Sequence, residues 1–263
     1  LQSKHVQTAT LADVVGLRYS GDNGALASNY FPLAVADTSV SVTVKSVTLT
    51  PSTALTKTYD GGRSYTTSLA DLSAMSQQLV GGDQVVSATV LYSTAAAGNS
   101  KRVDLYAVAI DDGNAGRNYN VSLGYITNGS IDKAPLTIAA VDDAKFVTKN
   151  DNVATSGSAG YAGLLINGFV NGETIAQLSG TPAITRTNYG LDNADYYPGV
   201  LRPAGYTSNN YEISYVNGNY TIVRAETLLV RVTAAPVIYG NAPTYTVTAQ
   251  YLPPVTSADP NPT

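Results

Sequence analysis

Apolar residues recur at every second position through much of the chain, in short runs broken by turn-forming residues. Tyr211, Ile213 and Tyr215 alternate with Glu212 and Ser214, Asn217-Gly218 interrupts, and Tyr220 and Ile222 resume the beat. That pattern predicts a hairpin with a primed turn at Asn217-Gly218 and all five large side chains on one buried face. Tyr119, Val121, Leu123 and Tyr125 repeat the alternation ahead of Asn128-Gly129, with Ile131 beyond. After Val40, Val42 and Val44 the phase slips by one into Val47 and Leu49, which turns the apolar face over and marks a junction. One segment reads differently. In residues 68–80, SLADLSAMSQQLV, the positions Leu69, Leu72, Met75, Ser76 and Leu79 fall near a helical spacing, with a strand and long loop as the alternative.

The alternating segments are themselves repeated. Asn-Tyr pairs open them at Asn29-Tyr30, Asn118-Tyr119 and Asn210-Tyr211, a period of about ninety residues. A basic residue ahead of a Thr/Leu-rich run keeps the same period at Lys45, Lys133 and Arg224, and a turn ending in an acid does so at Gly81-Gly82-Asp83 and Asn171-Gly172-Glu173. These markers place repeats at 45–132 and 133–223 with almost no linker. Residues 1–44 read as the closing part of a preceding repeat and residues 224–263 as the opening part of a following one. On this reading the terminal parts are completed within a longer chain or, as the alternative, head to tail by a neighbouring copy, because open strands recruit partners. Val, Thr and Tyr strands punctuated by 23 Gly and 12 Pro predict an all-β fold of tandem Ig-like β-sandwich repeats. A parallel β-helix would need a shorter period of roughly 20 to 30 residues.

Lys57-Thr58-Tyr59-Asp60-Gly61, then GGDQV, Ala97-Gly98, NYNV and KAPLTI give the first complete repeat a likeness to a known family: it resembles the YDG domain. The second, with GFVNGETIAQLSGTPAIT, ADYYPG and NYEISYVNGNYTI, resembles the MBG domain of bacterial Ig-like repeats, and LLVRVTAAPVIYGNAPTYTVTA looks like the opening of another. The second repeat departs from that pattern at Phe146-Val147-Thr148, where an aromatic-glycine pair such as Tyr239-Gly240 is expected. The resemblance implies a stalk or matrix-binding region of a large secreted or surface-attached bacterial adhesin, of the kind resembling filamentous haemagglutinin and exported by two-partner secretion.

Composition narrows the chemistry. Charged residues make up 13% of 263, against an ordinary value of about 25%, so Ser, Thr, Asn, Tyr and Gly carry the contact with water, a surface that suits export. A net charge of −4 argues against a nucleic-acid face. With no Cys and only His5, thiolate metal sites, disulfides and most histidine chemistry are excluded. No apolar run is long enough for a spanning helix, and the first residues do not form a signal peptide. The expectation is a protein that is not an enzyme and uses neither cofactor nor metal.

Candidate sites each have a plain structural reading. Tyr59-Asp60-Gly61 reads as a tight turn. Asp111-Asp112, Asp142-Asp143 and Asp192-Asn193-Ala194-Asp195 read as solvated loops, with Ca²⁺ ligation as the alternative, although no loop shows a calcium-binding spacing. The sequons at Asn120, Asn128 and Asn219 fall in the repeated alternating segments. Among 19 Tyr, most are expected in cores and strand faces; Tyr161, Tyr196, Tyr197 and Tyr206, in loop-like sequence, are the candidates for stacking on a polysaccharide. Two readings therefore stand side by side, a structural stalk and a polysaccharide-binding module.

Overall fold

The computed structural model describes residues 5–10, 39–52, 54–153, 159–234, 237 and 239–254. The Asn29-Tyr30 marker lies outside them. The chain divides into two compact units, residues 1–132 and 133–263.

In the first unit, β1 (Gln7–Thr10) and β2 (Ser39–Val42) form an antiparallel pair. A sandwich follows. β3 (Lys45–Leu49), β4 (Thr56–Thr58) and β5 (Ser64–Tyr65) lead to a helix, α1 (Leu69–Ser76), and then to β6 (Gln84–Tyr92), β7 (Gly98–Asp111), β8 (Tyr119–Leu123) and β9 (Tyr125–Asp132). One sheet is β3-β8 and the other is ordered β4-β9-β7-β6-β5. Leu49, Val90, Tyr92, Val103, Leu105, Tyr119 and Ile131 supply buried side chains from both. The helix forms where the spacing indicated one. Its Ser68 accepts from Asp71 N–H while the Asp71 carboxylate accepts from Ser68 N–H, a capping box that satisfies two otherwise orphaned donors. Met75 is the helix residue that becomes fully buried.

In the second unit, β10 (Ala134–Ala140), β11 (Asp143–Phe146), β12 (Leu164–Asn167), β13 (Ala183–Arg186), β14 (Asp195–Ala204), β15 (Tyr211–Val216) and β16 (Gly218–Val223) form sheets ordered β12-β10-β15 and β11-β16-β14-β13. Ala140, Tyr161, Ile184, Leu201, Tyr220 and Ile222 make one buried cluster. A further antiparallel pair, β17 (Leu228–Ala234) and β18 (Tyr245–Tyr251), belongs to the same unit.

The two sandwiches share a plan. The opening segments run parallel to the closing ones: β3 with β8 and β4 with β9, then β10 with β15 and β11 with β16. The fold is all-β, in tandem sandwiches, as the alternation predicts, but the expected hairpin is not there. β15 and β16 lie in different sheets and do not pair. Gly218 has no positive φ; a Cβ there would stand 2.6 Å from Ala140 O, so glycine is required by close approach and not by a turn. The chain passes straight through and changes sheet. Tyr211, Tyr220 and Ile222 are buried, Ile213 is half-buried, and Tyr215 is 36% exposed. Likewise Asn128-Gly129 lies within β9, and the change of sheet comes at Gly124.

Candidate functional site

The acid-ending turns and the Asn-Tyr pairs, separate markers in sequence, meet in space. Val80-Gly81-Gly82-Asp83 and Val170-Asn171-Gly172-Glu173 are each closed by a main-chain bond from the acid N–H to the valine carbonyl, 3.2 Å and 2.9 Å. Both central residues have positive φ, 68° and 81° in the first turn and 52° and 70° in the second. That geometry is a primed turn, and it explains Gly-Gly and Asn-Gly there. Tyr119 reaches across to donate its hydroxyl to Asp83 Oδ2 at 2.6 Å and accepts from Val80 N–H at 3.1 Å. Tyr211 does the same with Glu173 Oε2 at 2.5 Å and Val170 N–H at 3.2 Å. Burial first, and the neighbouring carboxylate second, push both phenols above their ordinary range. Each latch consumes its own polar groups and leaves a structural tie.

A second polar cluster lies inside the second unit. Lys145 on β11 is 2.9 Å from Asp151 Oδ1 and 2.6 Å from Asp192 Oδ1. Arg186 on β13 has Nε 2.7 Å from Asp151 Oδ2, though its N–H is not aimed at that oxygen, and its Nη2 is 3.3 Å from Asp192 Oδ1. The Tyr161 hydroxyl donates to Asp151, and the Arg186 guanidinium packs 4.8 Å from the Tyr220 ring centre. The side chains of Lys145, Arg186 and Asp151 are buried and that of Asp192 is half-exposed at the margin, so two cations and two carboxylates neutralise one another as buried charge demands. Burial alone lowers the Lys145 ammonium, but bonds to Asp192 and Asp151 outweigh it and raise the group above its usual value. The Lys145 bond, foremost, holds Asp192 below the carboxylate range. Burial pushes the Tyr161 phenol up to about 12. The sequence carried a partial signal for this cluster: Arg186 falls in phase with the inward Ile184 on β13, whereas Lys145 alternates with the apolar Ala144 and Phe146 on β11 and its burial is not legible from the pattern.

The other candidates resolve individually. Tyr161 is a correction: it is buried, packed edge-on against Tyr220 at 5.7 Å, because its loop folds over the core. Tyr197 packs against that core and donates to Asn193 O. Tyr206 has its main-chain N–H and carbonyl both bonded to the Tyr215 hydroxyl, at 2.9 Å each. Tyr196 alone of the four is largely exposed, at 56%. In the turn at Tyr59-Asp60-Gly61, Asp60 accepts from Gly62 N–H at 2.8 Å and Gly61 takes φ 78°, while Lys57 Nζ binds Asp60, Gly62 O and Ser64 O.

The acidic pairs are occupied by protein donors. Asp112 accepts from Asn114, Gly116 and Asn118 N–H, Asp142 from the Asn219 main chain and amide, and Asp143 pairs with Arg231. Among the described residues no group of three or more His, Cys, Asp or Glu is arranged to hold a metal. His5 Nδ1 meets the Asn118 amide at 2.7 Å. The sequon residues Asn120, Asn128 and Asn219 lie on strands β8, β9 and β16. A shallow groove of about 570 Å³ between β7 and β8 is lined by Tyr106–Ile110, Val121 and Leu123, side chains without acid–base capability near neutral pH. No helix among the described residues is long and apolar enough to cross a membrane.

Comparison with known families gives two adjacent matches. Residues 43–128 match the YDG domain and residues 136–221 match the MBG domain (YGX type), so the chain carries these two repeat domains in tandem. No curated protein and no solved structure matches the chain.

Proposed function

We propose that this chain is a structural repeat region of a secreted or surface-attached bacterial adhesin, extending or positioning a binding region in cell attachment or in a biofilm matrix. The observation that carries the reading is the repeated plan: two domains of tandem-repeat families, built on the same parallel closure and the same tyrosine–acid latch, follow one another along the chain. The polar groups that sequence singled out are engaged in holding loops and strands in place, which is what a scaffold requires. The low charge and hydroxyl-rich surface support export, and the likeness to adhesins resembling filamentous haemagglutinin extends to two-partner secretion. On this reading the chain has no catalytic role and needs no cofactor.

The reading is tested by displaying the 263-residue chain on a bacterial surface between an anchor and a defined binding tip. Attachment should fall when the chain is removed and recover when an unrelated sandwich array of equal length replaces it. Failure of that array to restore attachment would show that the chain supplies specific contacts of its own.

A further inference from the structure

We infer that each sandwich is a mechanical clamp, built to resist tension applied along the chain. The inference rests on the reading of the chain as a structural repeat region and adds the load that such a region bears.

The argument starts from strand direction. In the first unit the opening segment, β3 and β4, lies alongside the closing segment, β8 and β9, and both pairings are parallel, Lys45 against Tyr119 through Leu49 against Leu123, then Thr56 against Ser130 through Thr58 against Asp132. Main-chain bonds extend the ladder at its margins: Lys45 N–H to Asn118 O, Gly124 N–H to Leu49 O, Ser130 N–H to Leu55 O and Tyr59 N–H to Asp132 O. Tension enters at the amino end of β3 and leaves at the carboxyl end of β9. Because the two segments point the same way, those pulls act in opposite directions along the strand axis. The segments must slide past one another, and the rungs must fail together. An antiparallel pair pulled from its shared end opens one rung at a time, and each rung is worth little by itself.

The second unit is loaded in the same way. Ala134–Ala139 pairs in parallel with Tyr211–Val216 and Asp143–Phe146 with Tyr220–Val223, with Ala134 N–H to Asn210 O and Val147 N–H to Val223 O at the ends. The features that differ between units lie outside this ladder. The first has β5 and α1 where the second has β12 and a single 3-10 turn, Ile175–Gln177, yet the parallel closure is retained. The glycines at the change of sheet belong to it too: a Cβ on Gly124 would meet Thr50 Cγ2 at 2.8 Å, and one on Gly218 would meet Ala140 O at 2.6 Å. Side chains there would prise the closing segment away from the opening one. The latch adds a side-chain tie at the head of the closing strand, at Tyr119 and Tyr211.

The test is single-molecule extension of the full chain in two geometries. In one, handles hold the two termini. In the other, the chain carries Gln84→Cys and Asp111→Cys, exposed and directly paired positions at the shared end of β6 and β7, kept reduced until the handles are coupled, and the absence of native Cys makes those attachments unique. Unfolding should require several-fold greater force from the termini than from the β6–β7 end, since forced unfolding follows the barrier along the pulled coordinate and not equilibrium stability. Equal forces would overturn the clamp. Two variants sharpen the outcome. Val47→Pro removes a rung and should lower one terminal-geometry force several-fold, whereas Met75→Ala, a cavity outside the ladder, should lower the melting temperature and leave that force nearly unchanged. Force losses that simply follow melting temperature would also overturn it. If Val47→Pro does not fold, the comparison of geometries decides alone. A low terminal force would leave the scaffold reading standing, and failure of the surface-display exchange would leave the force asymmetry standing, so the two are separable.

Discussion

Tyr119 and Tyr211 show how much one hydroxyl can organise. Each donates to the acid of its turn and accepts from a main-chain N–H, so removing the oxygen takes away two bonds at once. Tyr119→Phe and Tyr211→Phe should each destabilise the unit that holds them by about 1 to 3 kcal/mol, read from denaturant midpoints at constant slope. Lys145 is a harder loss, since it leaves Asp151 buried beside a misaligned Arg186. Lys145→Met should cost about 3 kcal/mol or more. The same cluster sets pH limits. Asp192 is depressed, so its contribution is present above the unfolded carboxylate pKa and is lost as pH falls through the lower folded value. Lys145 is raised, so its contribution is full below the unfolded ammonium pKa and is lost as pH rises through the higher folded one. Stability of the second unit against pH should therefore show an acid limb that Asp192→Asn flattens. At this scale the sequence exposed the tyrosines and acids as a repeated register but not that they touch. Spacing along the chain reports a period, and only the fold brings positions nearly forty residues apart into bonding distance.

At the scale of elements, the alternation located the strands but assigned the wrong partners in the closing segment of each repeat. Asn-Gly between two alternating runs is a strong hairpin signal, yet Asn217-Gly218 sits where the closing segment changes sheet, while the primed turns lie at Gly81-Gly82 and Asn171-Gly172. The same dipeptide serves a turn in one place and a close approach in the other, and local sequence does not separate them. The distinction is measurable. Gly172→Val should destabilise the second unit by about 1 kcal/mol or more, because a β-branched residue resists positive φ. Asn217→Ala, outside any turn, should change stability by no more than about 0.5 kcal/mol. The helix was legible only from the near-helical spacing that includes Leu72 and Met75; the Ser68–Asp71 cap that fixes its start is what the structure adds. Tyr161 was not legible, since loop-like sequence says nothing of whether the loop folds back over a core.

For the molecule as a whole, the repeated plan is the central fact, and it was the most legible in sequence because a period of about ninety residues survives substitution at most positions between. The account makes each sandwich complete without added ligands: its acids are held by backbone amides, lysines and arginines of the same unit. Thermal melting with and without a strong chelator should therefore superimpose. The most direct measurement of the central claim, that these units hold and position without recognising a ligand, is retention of the purified chain on a broad array of extracellular polysaccharides, alongside Tyr196→Ala, which removes the one largely exposed candidate ring. The account predicts no sugar retained above background by either protein; retention of one defined glycan by the native chain, abolished in Tyr196→Ala, would contradict it.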